Sequence, residues 1–258
     1  MPPKREPKEI EIIEHEKVQL SDAMMLIAFP GAGWAGSVAA YYLIETLKLK
    51  WVASIVSPKF PPIAVIKDGT PRPGISVYTG PVVCGIDGRL DQLIVVTAEF
   101  VPHPSITGML SRCIFDWVKK KRIKEIITIE SVGFAAEGNG NEVRVITSTW
   151  ARQDIKRLGL EILDDGLLSG FAGQLIVEAQ LSHCKAITLL VEAREGFPDA
   201  HAAARIVEII APLMPSLDID PKPLYERAKE IENEVQTKSQ ASKKVLSRMS
   251  KEADYMFG

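Results

Sequence analysis

Three glycines in one short segment have the spacing of a phosphate-binding loop. The segment F-P-G-A-G-W-A-G covers residues 29–36 and places Gly31, Gly33 and Gly36 in a G-x-G-x-x-G pattern behind an apolar run. In a dinucleotide site such glycines allow a tight turn, close approach of the pyrophosphate and close packing of helix against strand. The loop could therefore bind a cofactor, or it could serve only as a structural turn.

The residues that follow the loop argue against a dinucleotide. A dinucleotide site needs a carboxylate about 20 residues after the loop, where it binds the ribose. Between Lys48 and Lys67 the chain has no Asp or Glu, and the bulky Trp34 inside the loop would crowd a pyrophosphate. We therefore expect no cofactor and interpret the loop as a tight turn, with binding of another small anion as the alternative.

Three carboxylates make a second candidate group. Glu99, Glu130 and Glu192 each come directly after a predicted buried strand. The carboxyl ends of parallel strands meet at one edge of a sheet, where α/β proteins place their sites. With the loop glycines, these carboxylates form a candidate pocket in which they could act as acid and base or bind a ribose hydroxyl. The alternative is that they cap loops and neighbouring helices.

Other catalytic chemistry has no motif in the chain. There is no G-x-S-x-G, no phosphate-loop Gly-Lys-Ser/Thr and no H-E-x-x-H. The histidines and cysteines lack metal-ligand spacing, so we expect no metal. Three scattered cysteines also argue against a disulfide framework and favour a reducing, cytoplasmic compartment. The histidines are His15, His103, His183 and His201, and the cysteines are Cys84, Cys113 and Cys184.

The order of apolar runs and helical patterns predicts an α/β fold with a mainly parallel sheet sandwiched by helices. Short segments separated by Gly and Pro predict a small antiparallel excursion between the second and third long strands. Predicted buried strands cover residues 23–29, 52–56, 93–98, 126–129 and 187–191, predicted helices cover 37–48, 106–122, 174–181 and 201–214, and the excursion covers 63–66, 75–78 and 82–84.

Charge and hydropathy exclude two classes of partner. The formal net charge is −2 with 25% charged residues, which gives no electrostatic reason to expect nucleic acid or a membrane surface. Residues 23–44 carry no charge and are long enough to cross a bilayer. Their centre is Pro-Gly-Ala-Gly, whose irregular backbone would stay unsatisfied in lipid. A strand, a turn and a helix inside an α/β core explain the same residues.

Three longer segments resemble one known family. They are FPGAGWAGSVAAYYLIETL, the loop PKFPP, and GFAGQLIVEAQ followed by ITLLVEAREGFPDAHAAARIVEII. Over residues 23–214 the chain resembles the proteasome assembly chaperone 2 family, particularly its archaeal members. The resemblance implies a fold similar to purine nucleoside phosphorylases. It also implies a non-enzymatic partner of the 20S proteasome α subunits that forms homo-oligomers, either tetramers or pentamers.

The C-terminal part has a different composition. After residue 220 the chain keeps one helical apolar stripe and then becomes polar, which predicts a chaperone-like domain over 1–220 and a helical, flexible tail over 221–258. The last residues, Met256, Phe257 and Gly258, have the order hydrophobic, aromatic, any. In the family that this chain resembles, such an ending implies docking into pockets of the proteasome α ring. Phenylalanine stands where the motif has tyrosine, so the phenolic hydroxyl is missing.

Two functions of different classes follow. The resemblance implies an ATP-independent assembly chaperone or activator that docks on the 20S core through its tail. The alternative is an enzyme of nucleoside-phosphorylase type that acts on a nucleoside-like molecule with the strand-end carboxylates near Gly31 and Gly170. The chain has a plausible docking end and lacks a recognisable nucleophile or metal motif, so the binding function is favoured.

Overall fold

An eight-stranded mixed sheet forms the centre of the protein, and two short hairpins flank it. The structure, a computed structural model, describes residues 9–84, 90–133, 142–224 and 237. In chain order the strands are β1 (Glu11–Glu14), β2 (Met24–Ala28), β3 (Lys50–Val56), β4 (Ala64–Lys67), β5 (Thr70–Pro73), β6 (Ile75–Thr79), β7 (Val83–Cys84), β8 (Leu90–Asp91), β9 (Leu93–Ala98), β10 (Glu125–Gly133), β11 (Val143–Thr147) and β12 (Lys185–Ala193).

The order of strands in the large sheet is β1-β3-β6-β9-β2-β10-β12-β11. The four strands β9, β2, β10 and β12 are parallel, whereas β1, β3, β6 and β11 pair antiparallel at the two sides. The central strands are rich in Val and Ile and buried along almost their whole length, as strands covered on both faces must be.

Helices cover both faces of this sheet. They are α1 (Ala35–Thr46), α2 (Pro104–Lys121), α3 (Arg152–Arg157), α4 (Gly170–Leu181) and α5 (Ala200–Ile210), with short 3₁₀ helices over Ala32–Trp34 and Ala211–Leu213. One hydrophobic core contains side chains of α1 and α5, and the other contains side chains of α2 and α4. We call the two sides the α1/α5 face and the α2/α4 face. The predicted α/β sheet sandwiched by helices is confirmed.

One local prediction is wrong. Residues 75–78 do not belong to a small excursion, because β6 is a full member of the large sheet between β3 and β9. All five β6 residues are buried, so the strand must be covered on both faces and paired along both edges. Among the strands of the described residues, only the hairpins β4–β5 and β7–β8 remain outside the large sheet.

The packed chain reaches a little beyond the predicted domain boundary. The Tyr42 hydroxyl of α1 donates a hydrogen bond to the Asp220 carbonyl, and Leu224 is fully buried in the core of the α1/α5 face. The predicted docking residues Met256, Phe257 and Gly258 lie outside the described residues. In the described part of the chain, no helix is both long and apolar enough to cross a membrane.

The connections after β2 and β9 create a crevice. The chain passes from β2 into α1 on one face, and from β9 into α2 on the opposite face. Because β2 and β9 are neighbours, their carboxyl ends diverge to opposite sides. Such a topological switch point is where open α/β sheets place their ligands.

Candidate functional site

The glycine loop turns the chain sharply from β2 into α1. Gly33 has φ of 57° and Trp34 has φ of 45°, both in the left-handed region. The Trp34 N–H donates to the Gly31 carbonyl at 3.1 Å, which closes the turn. A left-handed backbone costs little for glycine and more for any residue with a Cβ atom, so the pattern of glycines is explained by the geometry of the turn.

Each glycine of the loop is also packed against a neighbouring strand. A Cβ atom on Gly31 would lie 2.5 Å from Ser131 Oγ, and one on Gly36 would lie 3.0 Å from Ile129 Cγ2. A Cβ on Gly33 would lie 2.7 Å from the Arg194 carbonyl oxygen. The glycines are therefore needed for close packing of the loop against β10 and the residues after β12, which supports the interpretation of a structural turn.

Asp199 joins this loop to the start of α5, and we call the contact the loop–helix junction. Its backbone N–H donates to the Gly33 carbonyl at 2.8 Å. One carboxylate oxygen accepts from the N–H groups of His201 and Ala202, both at 3.1 Å, and caps the helix. The other accepts from the Arg194 N–H at 2.9 Å. The side chain is fully buried, and its carboxylate accepts hydrogen bonds from several N–H donors.

These donors decide the ionisation of Asp199. Burial alone would raise the pKa of this carboxyl, but hydrogen bonds from the Arg194 and Ala202 backbone and from the Arg194 guanidinium outweigh that effect. The pKa is lowered below its ordinary value, so the side chain is a carboxylate at neutral pH. The sequence analysis contains Asp199 only within a segment that resembles the family, just before the predicted helix 201–214, and missed its role in holding the glycine loop.

The α2/α4 face carries an open crevice at the switch point. Its volume is about 180 Å³, and its walls are mostly apolar. Phe29, from the glycine loop, and Phe171, from the start of α4, contact each other with ring centroids 4.7 Å apart. Pro102 and Pro104 form another wall, between the end of β9 and the first turn of α2.

Glu130 lies in this crevice as its one carboxylate among the described lining residues. Desolvation by burial raises the pKa of this carboxyl above its ordinary value. Within the described part of the chain, no hydrogen bond or ion pair reaches the carboxyl to oppose that effect. A half-buried carboxyl in apolar surroundings without a donor is costly, and such a perturbed group in a cleft marks a candidate binding site.

The other two predicted carboxylates are directed elsewhere. Glu99 follows β9 and accepts a hydrogen bond from the Tyr41 hydroxyl of α1, which places it on the α1/α5 face. Glu192 lies near the end of β12, outside the described lining of the crevice. All three lie at the carboxyl edge, but the structure does not bring them together, because successive side chains of a strand face opposite sides of a sheet.

The described residues contain no cluster of three or more His, Cys, Asp or Glu side chains that could hold a metal ion. The sequence analysis missed the pairing of Phe29 with Phe171. Each belongs to a segment that it singled out, F-P-G-A-G-W-A-G and G-F-A-G-Q-L-I-V-E-A-Q, but nothing local indicates that the two segments meet. A phenylalanine within two residues of a glycine in both segments was the available signal.

The chain is similar over nearly its whole length to several archaeal proteins. It is 26% identical to Pyrococcus furiosus PbaB, described as an archaeal proteasome activator, with a TM-score of 0.71, 90% of this chain covered and 99% of that chain. It is 24% identical to Pyrococcus furiosus PbaA, an archaeal homologue of proteasome-assembly chaperone, with a TM-score of 0.75 and coverage of 91% and 98%. An uncharacterised protein of Methanocaldococcus jannaschii is 24% identical over 244 residues, which are 94% of this chain and 96% of that relative.

The fold and the packed loop define a three-layer α/β protein whose glycine motif is structural. The chain belongs to the PAC2 family, whose sequence model matches residues 25–238. The predicted resemblance is therefore confirmed. Members of this family are proteasome assembly chaperones and not enzymes, so the prediction of a non-enzymatic protein is confirmed and the nucleoside-phosphorylase-type alternative is set aside.

Proposed function

We propose that this protein is an ATP-independent chaperone or activator of the 20S proteasome, and that it docks on the α ring through its C-terminal tail. The observation that carries the proposal is the likeness to PbaB, which extends over 99% of that archaeal proteasome activator. The likeness to PbaA, a homologue of proteasome-assembly chaperone, supports the same role. The compartment that fits this function is the cytoplasm.

Three chemical groups make the end of the sequence suited to docking. Met256 supplies an apolar side chain, Phe257 supplies an aromatic ring, and Gly258 supplies a carboxylate where the chain ends there. A pocket between two α subunits can bury the ring and bind the carboxylate through a lysine or backbone donors. The missing hydroxyl of Phe257 removes one hydrogen bond, which is about 1 kcal/mol of docking energy.

The body of the protein would present several such tails together. We propose a homo-oligomer, a tetramer or pentamer, of a domain over residues 1–220 with a tail over 221–258. Leu224 is fully buried, so the packed part ends at or after that residue. Weak individual tails that are tethered to one body gain strongly in combined affinity, which makes a short docking motif sufficient.

The experiment is a binding assay with purified 20S core. Deletion of residues 256–258, or Phe257→Ala, should abolish binding while sedimentation shows an unchanged oligomer. An anchor of this kind contributes about 2 kcal/mol per tail, and the loss multiplies over the oligomer. A chain truncated after residue 224 should likewise fold and form the oligomer but fail to bind.

Tyr255→Ala is the matched control, since it removes a neighbouring aromatic ring outside the motif and should leave binding within about threefold of the wild type. Phe257→Tyr should strengthen binding by restoring the hydroxyl. Binding that survives the deletion unchanged would show that the tail is not the anchor. Stimulated cleavage of a short fluorogenic peptide by the mature core indicates an activator, whereas binding to unassembled α subunits without stimulation indicates an assembly chaperone.

A further inference from the structure

We propose that the crevice on the α2/α4 face binds a small organic cation, an amine or guanidine group on a compact apolar body, with Glu130 as its counter-ion. The crevice lies between the carboxyl ends of β2 and β9, at the topological switch point of the sheet. Its lining comes from the described core domain, so the site is independent of tail docking.

Glu130 has no partner within the described part of the protein. The carboxyl is half-buried among apolar side chains and has no hydrogen bond or ion pair within the described residues. Partial desolvation without a partner raises the free energy of a charged carboxylate. The structure supplies that partner for Asp199 on the other face but not for Glu130. A ligand with N–H donors would supply it.

The walls of the crevice favour a cation that carries an apolar group. Phe29 and Phe171 offer aromatic rings, and a cation close to an aromatic ring is attracted by its quadrupole. The described lining contains no Lys or Arg that could neutralise an anionic ligand, and Glu130 itself repels one. A purely apolar ligand would leave the carboxyl desolvated. A cation attached to an apolar group satisfies both the carboxylate and the walls.

The volume of the crevice limits the size of the ligand. The crevice holds about 180 Å³, slightly more than a cavity of about 150 Å³ that accommodates one benzene molecule. The ligand therefore has the dimensions of a single ring or a short alkyl chain with one charged group.

The experiment uses benzylamine as the probe and benzyl alcohol as its neutral isostere, with binding to the full chain measured by isothermal titration calorimetry. Benzylamine should bind with a dissociation constant of about 1 mM or tighter, as expected for a ligand of this size. Benzyl alcohol should bind at least tenfold more weakly, because it lacks the charge that pairs with Glu130.

Two variants connect this binding to one side chain. Glu130→Gln should weaken benzylamine binding at least tenfold and leave benzyl alcohol unchanged, whereas the matched Glu192→Gln, on the neighbouring strand, should bind benzylamine like the wild type. Nα-acetyl-lysine amide serves as a third probe: binding as tight as that of benzylamine indicates a partner's side chain as the source of the cation, and weaker binding indicates a free small molecule. Equal binding of both benzyl compounds, an unaffected Glu130→Gln variant, or no benzylamine binding at 20 times the expected dissociation constant, roughly 20 mM, would overturn the proposal.

Discussion

Two glycine-containing turns lie at the carboxyl edge of the same sheet, and they differ in what surrounds them. Gly33 precedes α1 and Gly170 begins α4, with φ of 57° and 74°. A Cβ atom on Gly33 would lie 2.7 Å from a backbone oxygen, whereas a Cβ on Gly170 would meet nothing within 4 Å. The two turns need the same backbone freedom, but only the first is also closed by packing.

The carboxyls near these turns differ in the same way. Asp199, beside the first turn, accepts hydrogen bonds from several donors and its pKa is lowered despite its burial. Glu130, beside the second turn, meets only desolvation, and its pKa is raised. One face of the edge is thus closed by a structural contact, while the other carries a partly desolvated carboxyl that has no protein partner in the described residues.

The largest effect should come from breaking the loop–helix junction. Asp199→Ala removes the cap of α5 and leaves the partly buried Arg194 N–H without its acceptor. A lost cap costs about 1 kcal/mol and an unsatisfied buried donor costs about 1–3 kcal/mol. We expect the free energy of unfolding to fall by up to about 4 kcal/mol, measured by urea denaturation at fixed protein concentration.

Asp199→Asn is the control for that variant. Its amide oxygen can still cap α5, while the NH₂ group faces the Arg194 N–H. This variant should therefore lose about half as much free energy of unfolding as Asp199→Ala. If Asp199→Ala is as stable as the wild type, the junction does not hold the loop.

A smaller effect should separate the two turns. Gly33→Ala has to place a Cβ in a left-handed backbone and against the Arg194 carbonyl, and should cost about 3 kcal/mol. Gly170→Ala meets the backbone strain without the clash and should cost about 1 kcal/mol. The same denaturation experiment measures both. Equal losses would mean that packing does not distinguish the turns.

The smallest effect concerns pH and compares the two carboxyls. Because the folded pKa of Glu130 lies above its unfolded value of about 4.3, the folded state binds the proton more tightly. The stability from the protonated carboxyl is complete below the unfolded pKa and is lost as the pH rises through the folded pKa. Glu130→Gln should therefore be slightly more stable than the wild type at pH 7, and this advantage should shrink toward pH 4.

Asp199→Asn should show the opposite sign. The folded pKa of Asp199 lies below its unfolded value of about 3.9, so its contribution is present above the unfolded pKa and is lost as the pH falls through the folded pKa. The wild type should start more stable than this variant at pH 7 and approach it in acid. Denaturation curves between pH 7 and pH 2.5 measure both trends, and parallel trends would contradict the contrast.

Much of the architecture was predictable from local patterns. Buried runs such as 93–98 and 187–191 predicted the central strands, since continuous apolar segments bounded by turns indicate strands covered on both faces. The missing carboxylate between Lys48 and Lys67 argues against a dinucleotide fingerprint, and the quoted segments identified the family. The role of Met256, Phe257 and Gly258 stays a prediction.

The sequence by itself determined the α/β alternation, the position of the left-handed turn and the carboxyl edge at which Glu99, Glu130 and Glu192 lie. Only the tertiary structure decided that β6 joins the large sheet, that Asp199 is bonded to the loop of Gly33, and that Glu130 faces an open crevice while Glu99 faces α1. The reason is physical. Local periodicity is set by neighbours in the chain, whereas the side that a carboxyl faces depends on strand register and on helices that arrive from distant parts of the sequence.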